Sequence, residues 1–206
     1  MLRRAHSITY PGGTYGVIVG TDVHPFNAVN SAAWQFDASS WGDFHVGMIL
    51  HNLGRLKQHG PNLSVTFLQM EELLAHASSV LDRAQPVLLH NDAHPWNVLI
   101  HATEHRWRCS GWLDWEYAWV GDPTWDLVRM DLFRRKPLGS TPDAFWEGYG
   151  AAPREPERSI YELHIYLWMA NQYLDGDRQL MPTYAAAMRY VERLDEVVQT
   201  LKRQLC

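Results

Sequence analysis

Polar residues that can bind a metal ion and accept a proton are concentrated between residues 87 and 127. Asp92 follows the apolar run Val87–Leu89, Asn97 precedes a second apolar run, and Asp114 ends a third. An amide oxygen and a carboxylate oxygen are hard ligands that suit Mg²⁺, which also binds waters and substrate phosphates. A further carboxylate that stays off the metal can accept a proton from an attacking hydroxyl group.

The elements that must position these residues are short strands. Apolar runs bounded by polar turn residues indicate buried strands at residues 87–89, 98–101 and 107–113. The last two are joined by a polar connection of hairpin length, so we predict a β-hairpin. Folding this hairpin brings Asn97 close to Asp114, and Asp92 on the preceding loop can face both.

Three motifs follow one another in this stretch. Residues 90–97 have the pattern His-x-Asp-x-x-x-x-Asn, residues 113–116 read Leu-Asp-Trp-Glu, and residues 121–127 have the pattern Gly-Asp-Pro-x-x-Asp-Leu. Their order and separation resemble those of the aminoglycoside phosphotransferase and choline kinase family, which shares the protein-kinase-like fold. The resemblance implies Mg²⁺-dependent transfer of the γ-phosphoryl group of ATP or GTP to a hydroxyl group of a small molecule.

The same resemblance implies roles for individual residues. Asp92 matches the catalytic base, and Asn97 and Asp114 match the Mg²⁺ ligands. His90 and Asp126 match residues that brace the loops, and Glu116 matches a carboxylate that some members place near the metal. The residues of these motifs act on the phosphate groups and the metal ion. They therefore identify neither the acceptor nor the residues that bind it.

Residues 121–126 also have a local explanation. Glycine and proline bend the chain, and Asp122 can accept hydrogen bonds from the first amides of a helix that begins near Pro123. Asp122 and Asp126 are therefore interpreted as structural rather than catalytic.

Composition narrows the classes of protein. The chain has 206 residues, 46% of them hydrophobic and 20% charged, with a formal net charge of −5. This charge argues against a general nucleic-acid binder, which needs clustered Lys and Arg. Cys109 and Cys206 form neither a disulfide framework nor a zinc spacing, which is typical of a cytoplasmic protein. We expect no membrane segment, because no apolar run approaches about 18 residues.

The first 40 residues are predicted to be a remnant of a small kinase lobe. Ser7–Tyr10 and Thr14–Val19 flank Pro11-Gly12-Gly13, which predicts a hairpin, with a hinge after it. Residues 41–206 would then be the catalytic carboxy-terminal lobe. A kinase-type small lobe needs a lysine on a strand to reach the phosphates. The three lysines, Lys57, Lys136 and Lys202, do not lie on a predicted strand.

Hydrophobic spacing of three and four residues predicts several helices outside the catalytic stretch. They cover about residues 43–59, 65–83, 143–149, 159–174 and 182–204. The predicted fold is therefore α+β: a mostly helical large lobe of a kinase-like phosphotransferase with a short catalytic β-hairpin and a remnant amino-terminal hairpin.

Two other classes of function fit parts of the sequence. The missing small-lobe elements favour a noncatalytic or truncated kinase-like module that self-associates or needs a partner to supply the lobe. His90, Asp92 and His94 with Asp114 are also residue types that bind Zn²⁺ or iron in a metal-dependent hydrolase. That interpretation leaves Asn97 without a role.

Overall fold

The chain folds into two compact units, each built from two separate segments. A computed structural model describes residues 1–10, 14–19, 22–24, 38–60, 66–132, 141–175 and 184–205. The sheet unit comprises Met1–Val29 and Ala84–Pro153, and the helical unit comprises Asn30–Arg83 and Arg154–Cys206. The predicted boundary at residue 40 stays a prediction.

The described residues form both helices and short strands. The helices are α1 (Leu2–Ala5), α2 (Trp41–Gln58), α3 (Phe67–Leu74), α4 (Ala77–Leu81), α5 (Pro123–Leu132), α6 (Asp143–Tyr149), α7 (Glu157–Leu174) and α8 (Tyr184–Leu205). The strands are β1 (Gly16–Val19), β2 (Asp22–His24), β3 (Val87–Leu89), β4 (Val98–Ala102), β5 (Trp107–Trp112) and β6 (Trp119–Gly121). The predicted α+β class is confirmed. None of the described helices is both long enough and apolar enough to cross a membrane.

An antiparallel sheet of four strands carries the start of the catalytic stretch. Its strand order is β2-β1-β6-β3, and Leu88 of β3 lies opposite Val120 of β6. The predicted strand at residues 87–89 is confirmed, and Val87 and Leu89 are buried. Burial of this strand fixes the point at which the loop beginning with His90 leaves the sheet.

The predicted hairpin at residues 98–113 is confirmed as the two-stranded sheet of β4 and β5, but the prediction that its strands are buried is wrong, because most of their side chains are exposed. Val98 lies opposite Trp112, and Ala102 lies opposite Trp107. Thr103 closes the turn, because its backbone N–H donates to the Arg106 carbonyl oxygen at 2.8 Å. The hairpin therefore returns the chain to the level of Asn97, where the predicted metal ligands lie.

The predicted pairing of the amino-terminal hairpin is wrong. Strand β1 pairs with β2 rather than with Ser7–Tyr10, and Thr9 instead forms a bridge with Val87. The Leu88 N–H donates to the Ile8 carbonyl oxygen at 3.0 Å. This segment satisfies the edge of β3, a buried strand whose backbone groups need partners. The predicted turn at residues 11–13 lies outside the described residues, as do residues 20, 21 and 25–37 of the proposed hinge.

The helical unit corrects one of the predicted helices. Helix α2 packs on α7, where the Trp41 indole N–H donates to the Tyr161 hydroxyl at 2.8 Å. The single helix predicted at residues 65–83 is wrong, because α3 ends at Leu74 and α4 begins at Ala77. Asp82, just after α4, accepts a hydrogen bond from the Gly42 N–H at 2.7 Å.

Gly42 makes a close contact that no other residue type can make. A Cβ atom at this position would lie 2.6 Å from the Cα atom of Ser78. We expect Gly42→Ala to lower the free energy of unfolding by about 1–3 kcal/mol through overpacking. A Cβ atom at Gly54, also inside α2, would meet open space, so Gly54→Ala should raise that free energy by about 0.5–1 kcal/mol. Urea unfolding of both variants measures this difference, and equal effects would contradict the packing described for Gly42.

Candidate active site

A loop between β3 and β4 presents the predicted catalytic residues, and α5 holds its backbone. Asp126 is fully buried and accepts hydrogen bonds from the backbone N–H groups of His90 (2.7 Å) and Asn91 (2.8 Å). Asn91 has a φ of 61°, in the left-handed region that asparagine tolerates better than most residues. The Trp125 indole N–H donates to Asn91 Oδ1 at 2.6 Å. Two side chains of α5 thus stabilise the sharp turn before Asp92.

His90 connects this loop to the end of the hairpin. Its ring is buried against Trp112 and Trp115, with centroid distances of 5.2 and 4.6 Å. Nε2 lies 2.7 Å from the Leu113 carbonyl oxygen, which can only accept, so Nε2 carries the proton. Nδ1 then accepts from the Asp92 N–H at 3.3 Å. His90 therefore ties the segment that carries Asp92 to the segment that carries Asp114.

The Asp92 carboxylate is held by three neighbouring side chains. The Asn97 amide Nδ2 donates to Asp92 Oδ2 at 3.2 Å and to its backbone oxygen at 3.1 Å. His94 Nε2 lies 3.3 Å from Oδ2, and Arg129 Nη2 lies 3.5 Å from Oδ1. The Asp92 side chain is 27% exposed to solvent, so an incoming hydroxyl group can still reach it.

Asn97 and Asp114 lie at the same end of the hairpin. The Leu113 N–H donates to the Asn97 carbonyl oxygen at 2.8 Å, directly beyond the paired residues Val98 and Trp112. Asp114 is exposed, with a φ of 68° in the left-handed region. Because the Asn97 Nδ2 atom donates to Asp92, its Oδ1 atom is the one that can bind a cation. Amide and carboxylate oxygens are ligand types that suit Mg²⁺.

The carboxylates of Glu116, Asp114 and Asp92 all act on one tyrosine beside this site. Glu116 lies in the exposed turn Trp115–Tyr117 that follows Asp114. The charge of Glu116 raises the pKa of the Tyr117 hydroxyl, and the charges of Asp114 and Asp92 act in the same direction. The same field favours the approach of a cation.

Asp122 and Asp126 are placed for support rather than for contact with a substrate. Asp122 is 3% exposed, and its Oδ1 accepts from the Thr124 N–H at 2.8 Å at the start of α5. Asp126 also accepts from His6 Nε2 at 3.0 Å, and His6 Nδ1 accepts from the Tyr149 hydroxyl at 2.6 Å. Burial, reinforced by the charge of Asp126, raises the pKa of Tyr149 to about 12. The hydroxyl is therefore protonated and can donate at neutral pH.

Arg129 and His6 are among the residues of this arrangement that were not predicted from the sequence. Arg129 lies three residues after Asp126, a spacing that puts both on one helix face, but its contact with Asp92 depends on how the helix packs against the loop. His6 lies 120 residues from Asp126 in sequence, and no motif or spacing marks it.

The histidines of the loop do not favour the hydrolase interpretation. His90 uses both ring nitrogens within the loop and the end of the hairpin. The His94 Nδ1 atom accepts from the Trp96 N–H at 3.2 Å, and its Nε2 atom faces Asp92. In the described part of the chain, no group of three or more His, Cys, Asp or Glu residues is arranged to hold a metal ion.

Comparison with known sequences gives one family. The profile of the phosphotransferase enzyme family (APH) matches residues 41–161, which include the loop, the hairpin and α5. No curated protein matches the sequence.

Solved structures with similar folds include an aminoglycoside phosphotransferase and a choline/ethanolamine kinase family protein. The apo form of a thermostable mutant of aminoglycoside phosphotransferase APH(4)-Ia has a TM-score of 0.60 and 19% identity, over 97% of this chain and 62% of that chain. A ternary complex of this phosphotransferase with AMP-PNP and hygromycin B has a TM-score of 0.54 and 22% identity, over 80% and 53%. A choline/ethanolamine kinase family protein from Mesorhizobium loti has a TM-score of 0.52 and 19% identity, over 99% and 61%. The predicted kinase-like fold is confirmed, and the chain spans about 60% of the length of the first and third of these proteins.

Proposed function

The chain belongs to the phosphotransferase enzyme family, and from that premise we propose that it transfers the γ-phosphoryl group of ATP or GTP to a hydroxyl group of a small molecule. The observation that carries the proposal is the position of Asp92. Its carboxylate is exposed enough to meet a substrate, is held by Asn97, and lies on a loop that His90 ties to Leu113, the residue before Asp114. The structure of a similar fold in complex with AMP-PNP supports ATP as the donor.

Asn97 and Asp114 are the residues that would hold Mg²⁺. Their oxygen atoms are of the hard type that this ion selects, and the register of the hairpin brings the two residues to one end. When bound, Mg²⁺ would offset the negative charge of the phosphates. Glu116 adds negative charge nearby and lies in the adjoining exposed turn.

Asp92 would act as the base. The acceptor oxygen forms a bond to the γ-phosphorus while the bond from that phosphorus to the β,γ-bridging oxygen breaks, and the nucleoside diphosphate leaves. The proton of the acceptor hydroxyl passes to the Asp92 carboxylate. The contacts with Asn97, His94 and Arg129 hold this carboxylate in a single orientation, so orientation is provided before the substrate arrives.

The second candidate is a noncatalytic or incomplete kinase-like module. One observation favours it: Lys57 lies in α2 and Lys202 lies in α8, so neither occupies a strand from which to reach phosphates. Lys136 lies outside the described residues. Such a module would fold stably without binding a Mg²⁺-nucleotide complex, and a partner or a second copy would complete it.

Calorimetric titration of MgATP discriminates between the two candidates. We expect the wild type to bind MgATP and to bind ATP much more weakly when a chelator is present. In Asp114→Ala, the metal-dependent part of the binding affinity should be lost. Asp143→Ala is the matched control, because Asp143 is an exposed carboxylate on α6 of the same unit. It should bind as the wild type does. Absence of binding by a well-folded wild type would contradict the enzyme proposal and favour the noncatalytic module.

A further inference from the structure

Asp126 and Arg129 of helix α5 both contact the catalytic loop, Asp126 at the backbone and Arg129 at a side chain. The Asp126 carboxylate accepts hydrogen bonds from the backbone N–H groups of His90 and Asn91. Arg129, three residues later on the same helix, reaches the side chain of Asp92 with Nη2 at 3.5 Å from Oδ1. Residues three apart lie on one face of a helix, so a single face of α5 contacts both the turn and the carboxylate.

We propose that Arg129 is a positioning residue that fixes the orientation of the Asp92 carboxylate for proton acceptance. This inference rests on the proposed function of Asp92 as the base. It assigns a role in the reaction to a residue that lies outside the motifs at residues 90–97, 113–116 and 121–127.

The surroundings of Arg129 hold its guanidinium in place. The group lies over the Trp125 ring, 5.3 Å from the ring centroid, and the side chain is 15% exposed. Burial lowers the pKa of Arg129, while the charges of Asp92 and Asp126 oppose this change. Arginine stays protonated under these conditions, so Asp92 faces a fixed positive charge. Trp125 also binds Asn91, and the same ring therefore supports both the loop and the guanidinium.

The two carboxylate oxygens of Asp92 contact different side chains. Oδ1 faces Arg129, whereas Oδ2 faces Asn97 and His94. Removal of Arg129 releases one oxygen and allows the carboxylate to rotate about its Cβ–Cγ bond. A displacement of about 1 Å at a reacting group can cost about 10²-fold in rate. The loss should fall on turnover rather than on substrate binding, because Arg129 acts through Asp92.

The first test measures steady-state kinetics of phosphoryl transfer by Arg129→Gln, Arg129→Lys and the wild type. We expect kcat to fall about 10- to 100-fold in Arg129→Gln, with KM for nucleotide changed less than about threefold. Arg129→Lys should recover part of the loss, since lysine keeps the charge without the planar fork. Arg108→Gln on the exposed strand β5 is the matched control. Unchanged kcat in Arg129→Gln would overturn the proposal.

A double-mutant cycle with Asp92→Ala separates positioning from a general role in folding. If Arg129 acts through Asp92, Arg129→Gln should change kcat less than about twofold in the Asp92→Ala background. An equal fold-loss in both backgrounds would overturn the proposal.

Urea unfolding provides a test that does not depend on catalytic turnover. It compares the wild type, the two single variants and the double variant. The unfolding midpoints should be non-additive, because the two side chains contact each other. Additive midpoints would overturn the contact between Arg129 and Asp92. A wild type that transfers no phosphoryl group but shows non-additive midpoints would refute the proposed function and leave the contact established.

Discussion

Asp92→Asn is expected to lower kcat for phosphoryl transfer by about 10²–10⁴-fold, the range that general-base catalysis contributes. The substituted amide has nearly the same size and can still accept the hydrogen bond from Asn97 that Oδ2 accepts in the wild type. It cannot take the proton of the acceptor hydroxyl. We therefore expect metal-dependent nucleotide binding to be retained while turnover is lost. Initial rates at saturating nucleotide, together with a calorimetric titration of MgATP, measure the two properties separately.

Glu104→Gln provides the comparison for this result. Glu104 lies in the turn of the hairpin, and its side chain is 93% exposed, so the substitution removes a carboxylate of the same unit without touching the loop. Its turnover should match the wild type. If Asp92→Asn also keeps full turnover, Asp92 is not the base, and the site needs another proton acceptor.

Asp126→Ala is expected to lower the free energy of unfolding by about 2–5 kcal/mol, because two buried backbone N–H groups lose their acceptor. These are the N–H groups of His90 and Asn91, which Asp126 binds at 2.7 and 2.8 Å. His6 loses its carboxylate partner as well. Asp126→Asn keeps one acceptor oxygen and should cost about half as much. Urea unfolding followed by far-ultraviolet circular dichroism measures both values.

The effect of Asp126→Ala should extend from folding to activity. Without urea, where the variant is still folded, the released turn at Asn91 should leave Asp92 without a fixed position and lower kcat. Glu104→Gln should again lie within about 0.5 kcal/mol of the wild type in stability. A stability loss below about 1 kcal/mol for Asp126→Ala would mean that water or another group replaces the carboxylate.

Local patterns were sufficient to predict the part of the fold that carries the site. The strand before His90 and the hairpin from Val98 to Trp112 were predicted because short apolar runs between turn residues define both. The start of α5 at Pro123 followed from Asp122, whose side chain does cap the helix. These features depend on neighbours within a few residues, so they can be predicted from sequence.

Contacts between distant segments were not predictable in this way. Thr9 bridges Val87, and His6 binds Asp126, although each pair is far apart along the chain. Nothing in the local sequence of residues 6–9 distinguishes a partner of β3 from a strand of a hairpin. The contact between Arg129 and Asp92 depends on how α5 packs against the loop, which is a property of tertiary structure. The roles of Asn97 and Asp114 were implied by family resemblance and stay predictions.

The most direct test of the central claim is transfer of the labelled γ-phosphoryl group of ATP to a hydroxyl acceptor by the purified wild type. Hygromycin B, choline and homoserine are suitable first acceptors, with Mg²⁺ present or replaced by a chelator. We predict a labelled phosphorylated product that requires both Mg²⁺ and the Asp92 carboxylate. A product formed equally by Asp92→Asn, or formed equally in chelator, would contradict the proposed catalytic roles of Asp92, Asn97 and Asp114.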